Sequence, residues 1–134
     1  MRLVIIGQQA FGKGVLDKCL ERGHDVAAVF VPPQAPGTKP DPLRAGAQEK
    51  GVALHDPAKY TAPEPHGVLE GLRADIALMA YVTAFAPQSF VNLPKHGTVQ
   101  FHPSLLPLHR GPSSINWAVI RTRLPALRTL PSRT

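Results

Sequence analysis

Residues 2–31 read RLVIIGQQAFGKGVLDKCLERGHDVAAVFV, and this stretch decides the fold. Arg2 to Ile6 is a short apolar run stopped by Gly7, the pattern of a buried strand. From Gly12 to Arg22 the apolar Val15, Leu16, Cys19 and Leu20 fall on one helical face, and Gly23 ends the helix. Asp25 to Val31 is a second apolar run. Strand, helix, strand with near-continuous rather than alternating apolar strands predicts an α/β domain whose mostly parallel sheet has helices on both faces. In such sheets ligands sit beyond the carboxyl ends of the strands.

Working outward, the proline-rich Pro32–Pro42 segment predicts a loop, Pro42 to Lys50 a short helix and Val52 to Leu54 a short strand. Asp56 to Pro65 reads as loop and His66 to Arg73 as a helix weakened by Gly67 and Gly71. Asp75 to Tyr81 predicts a central strand, Pro87 to Leu93 one or two helical turns, and Gly97 to Phe101 a further strand. His102 to Pro112 is a proline-rich loop, and Ser113 to Ile120 begins a helix.

Composition bounds the function. The 134 residues make one domain, and 43% hydrophobic against 18% charged residues supports a packed core over disorder. Fifteen prolines and 11 glycines argue against a helical bundle. A single cysteine, Cys19, excludes an intramolecular disulfide, reads as core, and fits a cytoplasmic setting. The Leu3–Ile6 run is too short for a signal-peptide core, and no stretch reaches membrane-spanning length. The net charge of +6 is concentrated at one end. Arg121, Arg123, Arg128 and Arg133 lie in the last 14 residues, so residues 1–120 keep 11 of the 15 basic side chains against all 9 acids, a net of +2. Nucleic-acid binding through that basic tail ranks last among the functions considered.

Two motifs sit at predicted strand ends. Gly7 to Gly14 nearly spells a P-loop, but position 14 is Gly where the motif needs Ser or Thr for Mg²⁺. We read it as a glycine turn between strand and helix whose amides can hold an anion. The six histidines match no standard zinc spacing, His24, His55, His66 and His96 reading mostly as solvated surface residues, and no metal is expected. Gln100 and His102 stand two apart, so a continuous strand delivers both to one side, with Pro103 stopping it. An imidazole and an amide there can stabilise an oxyanion and move a proton. Chemistry alone leaves open whether His102 does this or only caps the strand.

The segment His102-Pro103-Ser104-Leu105-Leu106-Pro107, followed by His109-Arg110-Gly111-Pro112-Ser113-Ser114-Ile115-Asn116-Trp117-Ala118, resembles the signature of the folate-dependent formyltransferases. That family includes methionyl-tRNA formyltransferase, glycinamide ribonucleotide formyltransferase and the N-terminal hydrolase domain of 10-formyltetrahydrofolate dehydrogenase. Ile5-Ile6-Gly7-Gln8 with Phe11-Gly12, then Gly23 to Val26, Val29-Phe30 and Lys39 to Leu43, most resemble the last of these. The likeness covers residues 1–120. It implies a Rossmann-like sheet, 10-formyltetrahydrofolate as formyl donor without a metal, and an amine or water as acceptor. A transfer RNA is a less favoured acceptor. His102 matches the catalytic histidine, Ala84, Phe85 and Ala86 match a segment lining the folate pocket, and Ser104, Leu105, Leu106 and Pro107 match another folate-contacting wall.

Two departures stand out. Gln100 occupies a position where transferases usually carry asparagine. The catalytic aspartate of the family lies in an Asp-x-Gly segment, whereas residues 121–134 hold no Asp, Glu or Gly and no period. The expectation is a 1–120 catalytic portion, incomplete at its C-terminus, joined to a truncated or frame-shifted 121–134 tail, with an uncovered sheet edge, poor solubility and impaired activity. A non-catalytic reduced-folate-binding module is the alternative. Reading the encoding DNA beyond residue 115 in all three frames checks this: a frame restoring a strand and Asp-x-Gly is the expected result, and its absence in every frame overturns the frameshift.

Overall fold

A computed structural model of the protein describes residues 1–104, 107–108, 111 and 113–122. In chain order the elements are β1 (Arg2–Gly7), α1 (Gln9–Glu21), β2 (Asp25–Phe30), α2 (Pro42–Glu49), β3 (Leu54–His55), α3 (Pro63–Leu72), β4 (Ile76–Ala80), α4 (Gln88–Val91), β5 (Thr98–Gln100) and α5 (Ser114–Thr122). The five strands form one sheet in the order β3-β2-β1-β4-β5, and every pair is parallel. The chain divides into two compact units, the first Met1–Phe101 and the second beginning at His102. All five strands belong to the first unit.

Alternation along the strands explains the two cores. On β1, Leu3 and Ile5 face one side, with Leu16 and Cys19 of α1 and Leu43 and Ala47 of α2. Val4 and Ile6 face the other, with Leu69 of α3, Phe90 of α4 and Tyr60. Each face of β1 is covered, so its strand reads as an unbroken apolar run. On β2 the pairing jumps from Leu3↔Val26 to Val4↔Ala28. The jump lets neighbouring Ala27 and Ala28 serve the same core, with Val29 and Phe30 back in alternation.

The helices depart from the sequence reading at their starts. α1 begins at Gln9, three residues earlier than Gly12, so Gly12 and Gly14 are helical and do not form a glycine turn. Gly12 is buried, and a Cβ there would lie 2.8 Å from the Leu43 side chain; its smallness lets α1 settle against α2. α3 begins at Pro63 rather than His66, because prolines in a first turn lose no helical hydrogen bond. Buried Leu69 holds α3 to the sheet despite Gly67 and Gly71. β3 is shifted to Leu54–His55. His55 stacks on Phe30, and His66 contacts Ala62 O and Ser89 Oγ, so neither is merely a solvated surface group. Cys19 is buried as expected.

The tightest constraint lies between β1 and β4. Gly7 pairs with Ala80, and a Cβ on Gly7 would come within 2.2 Å of the Ala80 carbonyl oxygen. Gly7→Ala must push the strands apart and is expected to destabilise the fold by about 2–3 kcal/mol. The shift of the urea unfolding midpoint measures this; an unchanged midpoint shows that β1 and β4 part at no cost.

Candidate functional site

The chain runs outward from β1 in both directions across the sheet, so the crossover direction reverses between β1 and β4. In doubly wound sheets the crevice beyond the carboxyl ends at this point receives ligands. Gln8 leaves β1 in extended conformation, its N–H donating to Ala80 O at 3.2 Å. Its side-chain amide reaches across the mouth to Thr83 Oγ1, a long contact of 3.4 Å. Gln9, opening α1, and Tyr81, leaving β4, take φ values of +63° and +64°. These are two of three non-glycine residues with positive φ among the described residues, and the third, Arg73, caps α3. Strained backbone of this kind persists where surrounding structure holds it, often at ligand sites.

Two cavities meet at Gln8. The smaller, of about 50 Å³, is a notch bounded by Gly7, Tyr60, Tyr81, Thr83 and Ala84. Burial keeps the Tyr60 phenol neutral, its pKa pushed up to about 12. The larger, of about 460 Å³, opens between the β1–α1 turn and the Pro32–Pro42 segment and has the size of a small-molecule site. Gln9, Lys39, Asp41 and Arg44 line it. Arg44 is nearly buried and fixes the segment's base, with Nη2 donating to Pro32 O at 3.1 Å and to Asp56 at 2.9 Å. At the β5 side, the rings of Phe11 and Phe101 stand 4.7 Å apart.

Of the residues singled out in the sequence, Ala84 borders the notch, Phe85 is exposed, and Ala86 is half-buried against the core. Gln100 is exposed at the end of β5, opposite Met79. β5 ends there, so the strand alternation that was to bring His102 beside Gln100 does not extend to His102. In the second unit His102 is half-buried; Ser104 is half-buried with its hydroxyl donating to Leu108 O at 2.9 Å, and Pro107 is exposed. Leu105, Leu106 and the tail from residue 123 lie outside the described residues. Gln8, Thr83, Tyr60 and Arg44 were not anticipated. Only Gln8 had a signal, its place directly after the first strand. Among the described residues no three His, Cys, Asp or Glu side chains gather as metal ligands, and no helix is long and apolar enough to cross a membrane.

A family model described as formyl transferase matches residues 1–123. The chain belongs to the formyl transferase family. Cytosolic 10-formyltetrahydrofolate dehydrogenase of Mus musculus is 37% identical over 125 residues, which are 90% of this chain and 14% of that protein. Methionyl-tRNA formyltransferase of Geobacter sulfurreducens is 35% identical over 90% of this chain and 39% of its own length. The chain thus spans well under half of these curated relatives. Phosphoribosylglycinamide formyltransferase from Bacillus halodurans superposes with a TM-score of 0.72 at 18% identity, over 90% of this chain and 65% of that one. This structural likeness shows the Rossmann-like formyl transferase fold.

Tyr60 supplies a pH test of the crevice wall. Its folded pKa is about 12 against an ordinary value of 10, so the folded state keeps a proton that the unfolded state has lost. The stabilisation is complete below about pH 10 and disappears as pH rises to about 12, on the order of 2 kcal/mol. Thermal unfolding from pH 9 to 12 is expected to show this decline, and Tyr60→Phe is expected to flatten it. An equal decline in the variant would place the effect elsewhere.

Proposed function

We propose that this chain forms part of a formyl transferase that takes the formyl group of 10-formyltetrahydrofolate and passes it to a small-molecule amine or to water. The observation that supports this best is the family match over residues 1–123 together with a switch-point crevice bordered by Ala84. The relatives named for 10-formyltetrahydrofolate support the donor, and the methionyl-tRNA relative keeps a transfer RNA as a less favoured acceptor. The setting is cytoplasmic in this reading, supported by the lone buried Cys19.

In the proposed reaction an acceptor nitrogen or water oxygen adds to the formyl carbon, and the carbonyl electrons move onto oxygen. His102 and the Gln100 amide donate hydrogen bonds to that oxyanion. As the tetrahedral intermediate collapses, the bond from carbon to the folate N10 breaks, and the proton lost by the acceptor ends on N10, with His102 assisting the transfer. Ala84, Phe85 and Ala86, with Ser104 to Pro107, contact the folate.

A second reading, a non-catalytic reduced-folate-binding module, is favoured by the composition of the notch. Among its described residues the notch holds no His, Cys, Asp, Glu, Lys or Arg side chain.

Release of tetrahydrofolate and binding of a reduced folate separate the two. His102→Ala is expected to lower turnover by roughly 10²–10⁴-fold while donor affinity stays near that of the parent chain. Ala84→Arg is expected to weaken donor binding. Folate binding without turnover in the parent chain identifies the module, and absence of both overturns the folate reading.

A further inference from the structure

The sequence alone marks the β1–α1 turn as a place whose amides can hold an anion. In the structure that anion is already present and belongs to the chain. Both carboxylate oxygens of Asp41 accept the Gln9 N–H, at 2.8 and 3.0 Å. The same carboxylate accepts the Leu43 N–H at 2.9 Å and so caps α2, where Pro42 follows as the first helical residue. One side chain therefore serves the amino ends of two helices, where the partial positive charge of each would otherwise draw a ligand's phosphate or carboxylate.

Asp41 does this while lining the 460 Å³ cleft. The cations on that cleft do not offset it equally. Arg44 is nearly buried, with Nη2 given to Pro32 O and Asp56 while its Nε has no hydrogen-bond partner among the described residues, and Lys39 is exposed at the rim. The cleft is far larger than a water molecule needs. It shares Gln8, Pro32 and Pro33 with the Ala84 notch.

Resting on the formyl-transfer reading, we propose that Asp41 is a specificity-determining residue: the cleft receives a small organic amine, uncharged or cationic at the end that meets Asp41, and Asp41 turns away phosphorylated acceptors. An entering phosphate would have to displace the carboxylate from the Gln9 amide or lie against it, with like charges opposed.

The test uses the full chain and follows the backbone amides of Gln9 and Leu43 by NMR. Inorganic phosphate, phosphoethanolamine and ethanolamine are the probes. In the parent chain the two phosphate compounds are expected to leave both amides unshifted at millimolar concentration, and ethanolamine is expected to shift Gln9. Asp41→Ser keeps an oxygen that can cap α2 but is too short to occupy the Gln9 amide. It is expected to gain saturable phosphate binding, roughly tenfold or more tighter than the parent chain. Asp41→Asn keeps the shape without the charge and guards against a folding defect; it is expected to lose the ethanolamine shift while its other amides stay in place. Phosphate shifting Gln9 in the parent chain, or failing to bind Asp41→Ser, overturns the proposal, as does ethanolamine acting alike on the parent and Asp41→Asn. A separate reduced-folate titration keeps the two claims apart: loss of folate binding sinks the formyl-transfer reading and leaves the phosphate result standing.

Discussion

The close passage of β1 past β4 at Gly7 and Ala80 sets the geometry of the carboxyl edge. Only a residue without a side chain lets the Ala80 carbonyl approach so near. The same carbonyl accepts the Gln8 N–H, so the last rung of the ladder aims the chain out of the sheet before α1 begins. From there the polypeptide must reverse within one residue, which it does at Gln9 with positive φ, while Tyr81 makes the corresponding turn on the neighbouring strand. The crevice between the two strands is the space left by these opposed turns.

Packing on the α1–α2 face follows a related logic of small residues at points of contact. Gly12 faces Leu43, and Gly46 lies under the aliphatic stem of Lys13. The Lys13 head group reaches Asp17 at 2.7 Å, and this pairing holds the Asp17 carboxyl below its ordinary range and raises the lysine. Both side chains are over a third exposed, so the pair adds little to stability. The apolar burial of Leu16, Leu43 and Ala47 carries this face. At the opposite, amino edge of the sheet, Arg2 joins β1 to Asp25, Asp75 and the Leu72 carbonyl.

The parallel sheet was legible because its inner strands are apolar on both faces, and the run from Leu3 to Ile6 has no other comfortable setting. Helix starts were less legible. Gly12 reads as a turn residue by propensity, yet here tertiary packing uses its smallness inside a helix, and the local cost of glycine is overridden. The same holds for Pro63, where proline signals a boundary without saying on which side. For the candidate site, Ala84 came through the family likeness, and its place after an apolar strand agrees with that likeness. The last strand was read as Gly97 to Phe101 and is Thr98–Gln100 in the structure, because strand length is poorly encoded in a segment that runs into proline. Asp41 was visible only as part of a likeness. That its carboxylate spans 32 positions of sequence to reach Gln9 is a tertiary fact that no local pattern carries.

Cys19 adds a property unrelated to the site. Its thiol lies in the buried cluster that holds Leu16 of α1 with Leu3 and Ile5 of β1, and burial pushes its pKa upward. A thiol so placed is a poor nucleophile and is shielded from alkylating reagents and peroxide. It becomes reactive only when α1 lifts away from β1 and β2. Because the chain has one cysteine, the rate of thiol labelling in the native protein is a clock for the opening of that single helix, with no second sulfur to confuse the signal.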